Sequence, residues 1–168
     1  MHLLIVLPRL ALGLAAVVCF ATPPSIAGAQ DPSEVLLELV PKEGANLELT
    51  RAELEALPQV EFETTTGWTE GSARYSGPRL SEVLALAGLS EQAVEATAAN
   101  DYSVIMDRDL IGPIYPIIAL RINGKPFGKR ELGPLWVIYP YDLLPEYRSE
   151  RVFAASIWQL VSLAHVNN

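Results

Sequence analysis

Cysteine is nearly absent from this 168-residue chain: its one thiol, Cys19, lies in an apolar N-terminal stretch. Beyond residue 19 no disulfide can form, no thiolate can hold zinc and no cysteine can act as a nucleophile. Histidine is almost as scarce. His2 stands at the N-terminus and His165 is alone near the other end, so no histidine-based metal site is expected. Positive charge is also short: 12 Lys and Arg against 20 Asp and Glu give a net charge of −8, a balance that repels nucleic acid and anionic lipid headgroups. Long hydrophobic runs are missing too. The apolar run over residues 10–21 is shorter than the roughly 20 residues that cross a bilayer. Internal repeats and low-complexity tracts are absent, which removes solenoids and disordered tails.

What the N-terminus does contain reads as an export signal. The apolar run ends before Pro23 and Pro24, and Ala27, Gly28 and Ala29 offer the small-x-small pattern at which signal peptidase cuts. Residues 1–29 are therefore expected to be a cleaved signal peptide, with residues 30–168 forming one domain in the periplasm. Val18 precedes Cys19 where a lipoprotein peptidase prefers a small residue, so no lipid anchor is expected. The leader holds a single arginine, Arg9, and no twin-arginine pair.

The remainder predicts a strand-dominated α+β domain. Residues 35–40 form a short apolar run closed by Pro41, which suits a strand. Thr50 and Glu53 have capping-box spacing, predicting a short helix that Pro58 stops. Residues 60–66, with three threonines in a row, predict a strand, and Tyr75 to Pro78 predict a turn. Leu80, Val83, Leu84 and Ala87 share one helix face, closed by Gly88. Residues 94–99 and 102–106 predict strands around a polar corner at Asn100 and Asp101. Residues 114–122 predict one strand ending at Asn123-Gly124, a strong hairpin signal. Residues 135–139 and 157–161 predict the last two strands. The 13 prolines fit many short elements and no long helix.

Six segments, taken in order, carry a resemblance. They are Thr64 to Trp68 (TTTGW), Tyr75 to Leu80 (YSGPRL), Asn100 to Ser103 (NDYS), Ala119 to Lys125 (ALRINGK), Gly133 to Pro140 (GPLWVIYP) and Trp158 to Leu160 (WQL). Together they resemble the molybdopterin-binding domain of the sulfite oxidase family, from about Glu61 to Val166, and imply its compact, barrel-like mixed-sheet fold with short helices. In catalytic members a cysteine four residues before the tryptophan of the first segment ligates molybdenum. Here that position is Thr64, whose neutral alcohol is a poor substitute for a soft, strongly donating thiolate. Exported holoenzymes of this kind generally carry a twin-arginine signal, which this leader lacks. Both departures predict that the chain binds no molybdenum cofactor and has no catalytic residues. The chain is also similar to a cysteine-lacking, exported subgroup that binds free pterins and reports to a membrane-bound cyclic-di-GMP regulator, a diguanylate cyclase or phosphodiesterase. The resemblance thus implies a non-catalytic periplasmic pterin-binding protein. The alternatives are a molybdopterin-dependent oxidoreductase and a scaffold that has lost its small-molecule site.

A pterin requires an aromatic face, an acceptor for its amino edge and donors for its carbonyl. Asp101 is a candidate acceptor, beside Asn100, although the same pair also suits a simple turn. Trp68 or Trp136 is a candidate stacking face, and either also suits a core. Trp158, in an apolar strand, reads as packing. Thr64 and Thr66 share one face of their strand and are candidates to line the pocket. Tyr102 and Ser103 point to opposite faces, so one at most accompanies Asp101, and Ser103 shares its parity. Arg121, Lys129 and Arg130 read as solvated charges.

Overall fold

The computed structural model describes residues 31–166. The expected signal peptide, its cleavage site, His2 and Cys19 lie outside the described residues. The architecture is mixed α+β, with eleven short strands and three six-residue helices among the described residues.

Strand β1 (Val35–Val40) buries Leu37 and Leu39 completely and pairs with β2 (Leu47–Thr50). Helix α1 (Arg51–Ala56) follows at once, and its start is the predicted capping box. Thr50 Oγ1 accepts from the Glu53 N–H at 3.3 Å while the Glu53 carboxylate accepts from the Thr50 N–H at 2.7 Å. Such caps stabilise a helix start by about 1 kcal/mol. Strands β3 (Gln59–Thr65) and β4 (Ser72–Pro78) pair antiparallel along their whole length. Helix α2 (Leu80–Ala85) buries Leu80, Val83 and Leu84, and Gly88, at φ +66°, ends the turn beyond it as expected. Strands β5 (Val94–Ala98) and β6 (Ser103–Met106) flank the predicted corner.

The remaining elements are β7 (Ile117–Ala119), β8 (Arg121–Ile122), β9 (Lys125–Pro126), β10 (Trp136–Ile138), α3 (Glu150–Ala155) and β11 (Leu160–His165). A five-stranded sheet runs β2-β1-β11-β5-β6, a four-stranded one runs β3-β4-β8-β9, and β10 pairs with β7. The first and last strands lie side by side and parallel, Leu39 opposite Leu163, so the two ends of the domain share one sheet. The core between the sheets holds Tyr75, Met106, Trp136, Tyr139 and Tyr141, all at most 1% exposed.

Four expectations need correction. The described sheets do not close into a barrel: three separate sheets pack together. Tyr75 to Pro78 is strand, not turn. Gly77 is there for close approach, since a Cβ on it would lie 1.8 Å from the Ile118 carbonyl oxygen. Residues 114–122 are two strands, because the chain changes partners: β7 pairs with β10, then the Leu120 N–H donates to Ser76 O and β8 pairs with β4. Residues 157–161 are not one strand either. Trp158 only bridges Trp136, Gln159 turns at φ +52°, and β11 begins at Leu160.

Candidate functional site

Three elements meet around one aromatic cleft. After β3 the chain turns on Thr66, whose Oγ1 accepts from the backbone N–H groups of Trp68 at 3.1 Å and Thr69 at 2.9 Å. That local turn is the one expected where a hydroxyl competes for backbone donors, and it aims the Trp68 indole inward. Trp68 then touches four other rings, with centroids 5.8 Å away at Trp136, 5.9 Å at Phe153, 5.6 Å at Trp158 and 6.2 Å at Tyr141. The first three contacts are edge-to-face, an arrangement favoured by the aromatic quadrupole. The β5–β6 corner contributes Ala98, Asn100 and Tyr102, and α3 with the segment after it contributes Phe153, Ser156 and Trp158. The cleft is about 240 Å³.

None of the residues lining this cleft is formally charged. Its polar groups are the Asn100 amide, the Tyr102 phenol, the Ser156 hydroxyl and the indole N–H groups. Asn100 Oδ1 accepts from the Tyr102 N–H at 3.3 Å, a long bond that leaves its amide donors uncommitted among the described residues. Tyr102 is 51% exposed and stands at the rim. Ser156 is fully engaged in the wall: it donates to Val152 O at 2.6 Å and accepts from the Tyr141 hydroxyl at 2.5 Å, while its carbonyl accepts from Trp136 Nε1 at 3.2 Å. Burial raises the Tyr141 phenol far above its ordinary value. With no carboxylate, imidazole or amine at the cleft surface, this arrangement suits stacking and neutral hydrogen bonding; it offers no general acid or base for neutral pH.

Trp68, Asn100 and Tyr102 come together in the cleft. Asp101 does not line it: the residue is exposed at the apex of the β5–β6 corner, at φ +64°, with its N–H donating to Ala98 O at 3.0 Å. That left-handed residue breaks strict alternation, so Tyr102 reaches the cleft and Ser103 turns away to donate to the Glu95 carboxylate at 3.0 Å. Trp136 is completely buried and backs Trp68 from behind. Thr66 positions Trp68 through the turn described above. Thr64 lies in the interior, 0% exposed. Trp158, expected to be packing alone, lines the cleft because Gln159 turns the chain there. Phe153 belongs to α3, a helix that residue spacing did not reveal. Arg121 is engaged with Glu55 at 2.7 Å, away from the cleft.

Behind the Trp68 turn lies a polar clamp that residue spacing also did not reveal. The Asp142 carboxylate accepts from the Thr65 N–H at 2.6 Å and the Thr65 hydroxyl at 2.9 Å, and pairs with Arg148. Thr64 Oγ1 in turn accepts from the Asp142 N–H at 3.1 Å. The backbone donor of Thr65 and the Arg148 guanidinium hold the Asp142 carboxyl down to about 2.

No protein-family model matches the chain, and no curated protein does. Among solved structures, the chain is similar to the sulfane dehydrogenase SoxCD from Paracoccus pantotrophus, with a TM-score of 0.61 and 17% identity over 81% of this chain. The match spans 39% of the dehydrogenase chain. At that identity the likeness is one of backbone architecture, and it places this mixed-sheet domain among chains folded like part of that enzyme.

Proposed function

We propose that this chain is a non-catalytic periplasmic protein that binds a free pterin in the aromatic cleft and passes its ligand state to the periplasmic part of a membrane-bound cyclic-di-GMP regulator. The observation that carries the ligand reading is the cleft itself. Trp68, Phe153 and Trp158 offer faces and edges to a flat ring, and the Asn100 amide offers both a donor and an acceptor to its polar edge. At about 240 Å³ the space lies below the usual 300–1,000 Å³ of small-molecule pockets. It suits a bare bicyclic ring better than a cofactor elaborated with a dithiolene and a phosphate. The partner and the compartment rest on the family resemblance and on the leader.

The fold likeness to SoxCD favours a second reading, a molybdopterin-dependent oxidoreductase of the sulfite oxidase family. The donor set does not fit it. Thr64 stands where that family's thiolate would be, fully buried, its Oγ1 already accepting from Asp142 N–H. No catalytic step is therefore assigned.

Titration calorimetry with neopterin tests the proposal. Binding at micromolar affinity or tighter is expected, with a matching rise in melting temperature. Asn100→Ala and Tyr102→Ala change exposed positions that the core does not need, and each is expected to weaken binding by about tenfold. Absence of any heat or thermal shift with neopterin, or stoichiometric molybdenum in protein isolated from its own cell envelope, overturns the reading.

A further inference from the structure

A second cavity of about 420 Å³ lies beside α3, lined by Tyr115, Tyr139, Tyr147, Asp109, Glu146 and Arg151 with neighbouring backbone. It shares only the helix with the aromatic cleft: Arg151 and Val152 face this cavity, while Phe153 and Ala154 face the other. Its wall is a row of tyrosines. Tyr147 meets Tyr115 edge-on at 6.3 Å and is tilted against Tyr139 at 5.9 Å. Tyr139 donates its hydroxyl to Leu110 O at 3.1 Å, which fixes the innermost ring. The hydroxyls of Tyr115 and Tyr147 make no hydrogen bond among the described residues, so both remain available to a ligand.

The charges at the mouth are unbalanced. Arg151 is spent on two carboxylates, Asp109 at 2.9 Å and Asp107 at 3.2 Å. Glu146 makes no ion pair among the described residues. Among the charged residues that line the cavity, two acids, Asp109 and Glu146, therefore face one cation, Arg151. A cation held over one of these rings meets the negative charge of its face, and the surplus carboxylate favours the same sign of ligand. Anions meet Arg151 only after displacing its two partners.

From this geometry we infer a second ligand site, distinct from the aromatic cleft, that takes an organic ammonium ion: the cation packs against Tyr115, Tyr139 and Tyr147, and Glu146 neutralises it. The site does not depend on what the first cleft binds.

Choline chloride is the first probe, followed by calorimetry or tyrosine NMR shifts at fixed ionic strength. Binding at about 1 mM or tighter is expected, and the neutral isostere 3,3-dimethylbutan-1-ol is expected to bind about tenfold more weakly. Tyr147→Phe should retain binding and Tyr147→Ala should lose about tenfold, because the ring face and not the hydroxyl contacts the cation. Glu146→Gln should weaken choline by about threefold, with the loss disappearing at high salt. Neopterin affinity in Tyr147→Ala should equal that of the wild type, which separates failure here from failure of the pterin reading. Spermidine and Nα-acetyl-lysine methylamide form the second arm. Tighter binding of the first identifies a free polyamine as the ligand, and of the second a lysine side chain presented by a protein. Equal binding of choline and its neutral isostere, or unchanged choline affinity in Tyr147→Ala, overturns the inference.

Discussion

The hydroxyl of Thr64 is tied to the backbone of Asp142: its Oγ1 accepts from the Asp142 N–H at 3.1 Å, across 78 residues of chain. The same Asp142 returns the contact one residue later, its carboxylate receiving both the N–H and the hydroxyl of Thr65. Two consecutive threonines thus lock the end of β3 to the loop between β10 and α3. The cleft depends on that lock, because Trp68 follows from the β3 end and Phe153 follows from the loop.

Thr64→Val keeps the shape and removes the hydroxyl, leaving the Asp142 N–H without its partner. A loss of about 1–2 kcal/mol is expected in urea unfolding, with neopterin affinity unchanged because Thr64 does not line the cleft and the Asp142 carboxylate still holds Thr65. Thr64→Cys should place a thiol that reacts with an aromatic disulfide reagent only as fast as the region opens, since the side chain is 0% exposed. Rapid labelling of folded protein would show that position 64 faces a cavity after all.

Asp142 makes the lock pH-sensitive. Its carboxyl is held at about 2, below the ordinary 3.8. A carboxyl lowered on folding contributes stability that is complete above its unfolded value and disappears as pH falls through its folded one. The urea midpoint of the wild type should therefore fall between about pH 4 and pH 2 more steeply than that of Asp142→Asn. At pH 7 the variant should be less stable by about 1 kcal/mol, a modest figure because the group is exposed to solvent. Identical acid limbs for the two proteins would show that the clamp contributes nothing.

Thr66 tests the link between turn and cleft. Thr66→Val removes the acceptor for the Trp68 and Thr69 N–H groups and frees the indole to move. Neopterin affinity should fall by about tenfold while the melting temperature changes little, because a displaced stacking ring costs binding more than folding. An unchanged affinity would mean that the ring cluster around Trp68 holds it without the turn.

Local signals were legible wherever a motif acts on its own neighbours. The Thr50–Glu53 capping box, the apolar face of α2 and the Asn123–Gly124 turn, with both residues at positive φ, all lie where spacing puts them. What spacing misjudged were residues with distant partners. Gly77 read as a turn because its real constraint, the Ile118 backbone, is far away in sequence. Residues 114–122 read as one strand because nothing local marks the change of sheet at Leu120. In the cleft, Trp68, Asn100 and Tyr102 were legible, whereas Asp101 was displaced by a left-handed turn. Phe153 went unseen because α3 is held by packing of Val152 and Ala155 and has no side-chain cap bond to announce it.

Arg51 supplies the last test, and its expected sign is opposite to the others. The side chain is 4% exposed, and none of its three guanidinium nitrogens has a hydrogen-bond partner. Desolvation lowers the guanidinium from its ordinary value against the attraction of Glu34, which approaches only to 3.9 Å, and of Glu55, which Arg121 opposes. A buried cation with so distant a counter-charge costs more in lost hydration than it gains in attraction. Replacing it with an apolar chain of similar length removes that cost and keeps the packing of its methylene stem. Arg51→Met should therefore raise stability by about 1 kcal/mol in urea unfolding at pH 7, while Arg51→Ala, which leaves a cavity, should lower it. If both variants lose stability equally, the guanidinium is satisfied in solution and the desolvation argument fails.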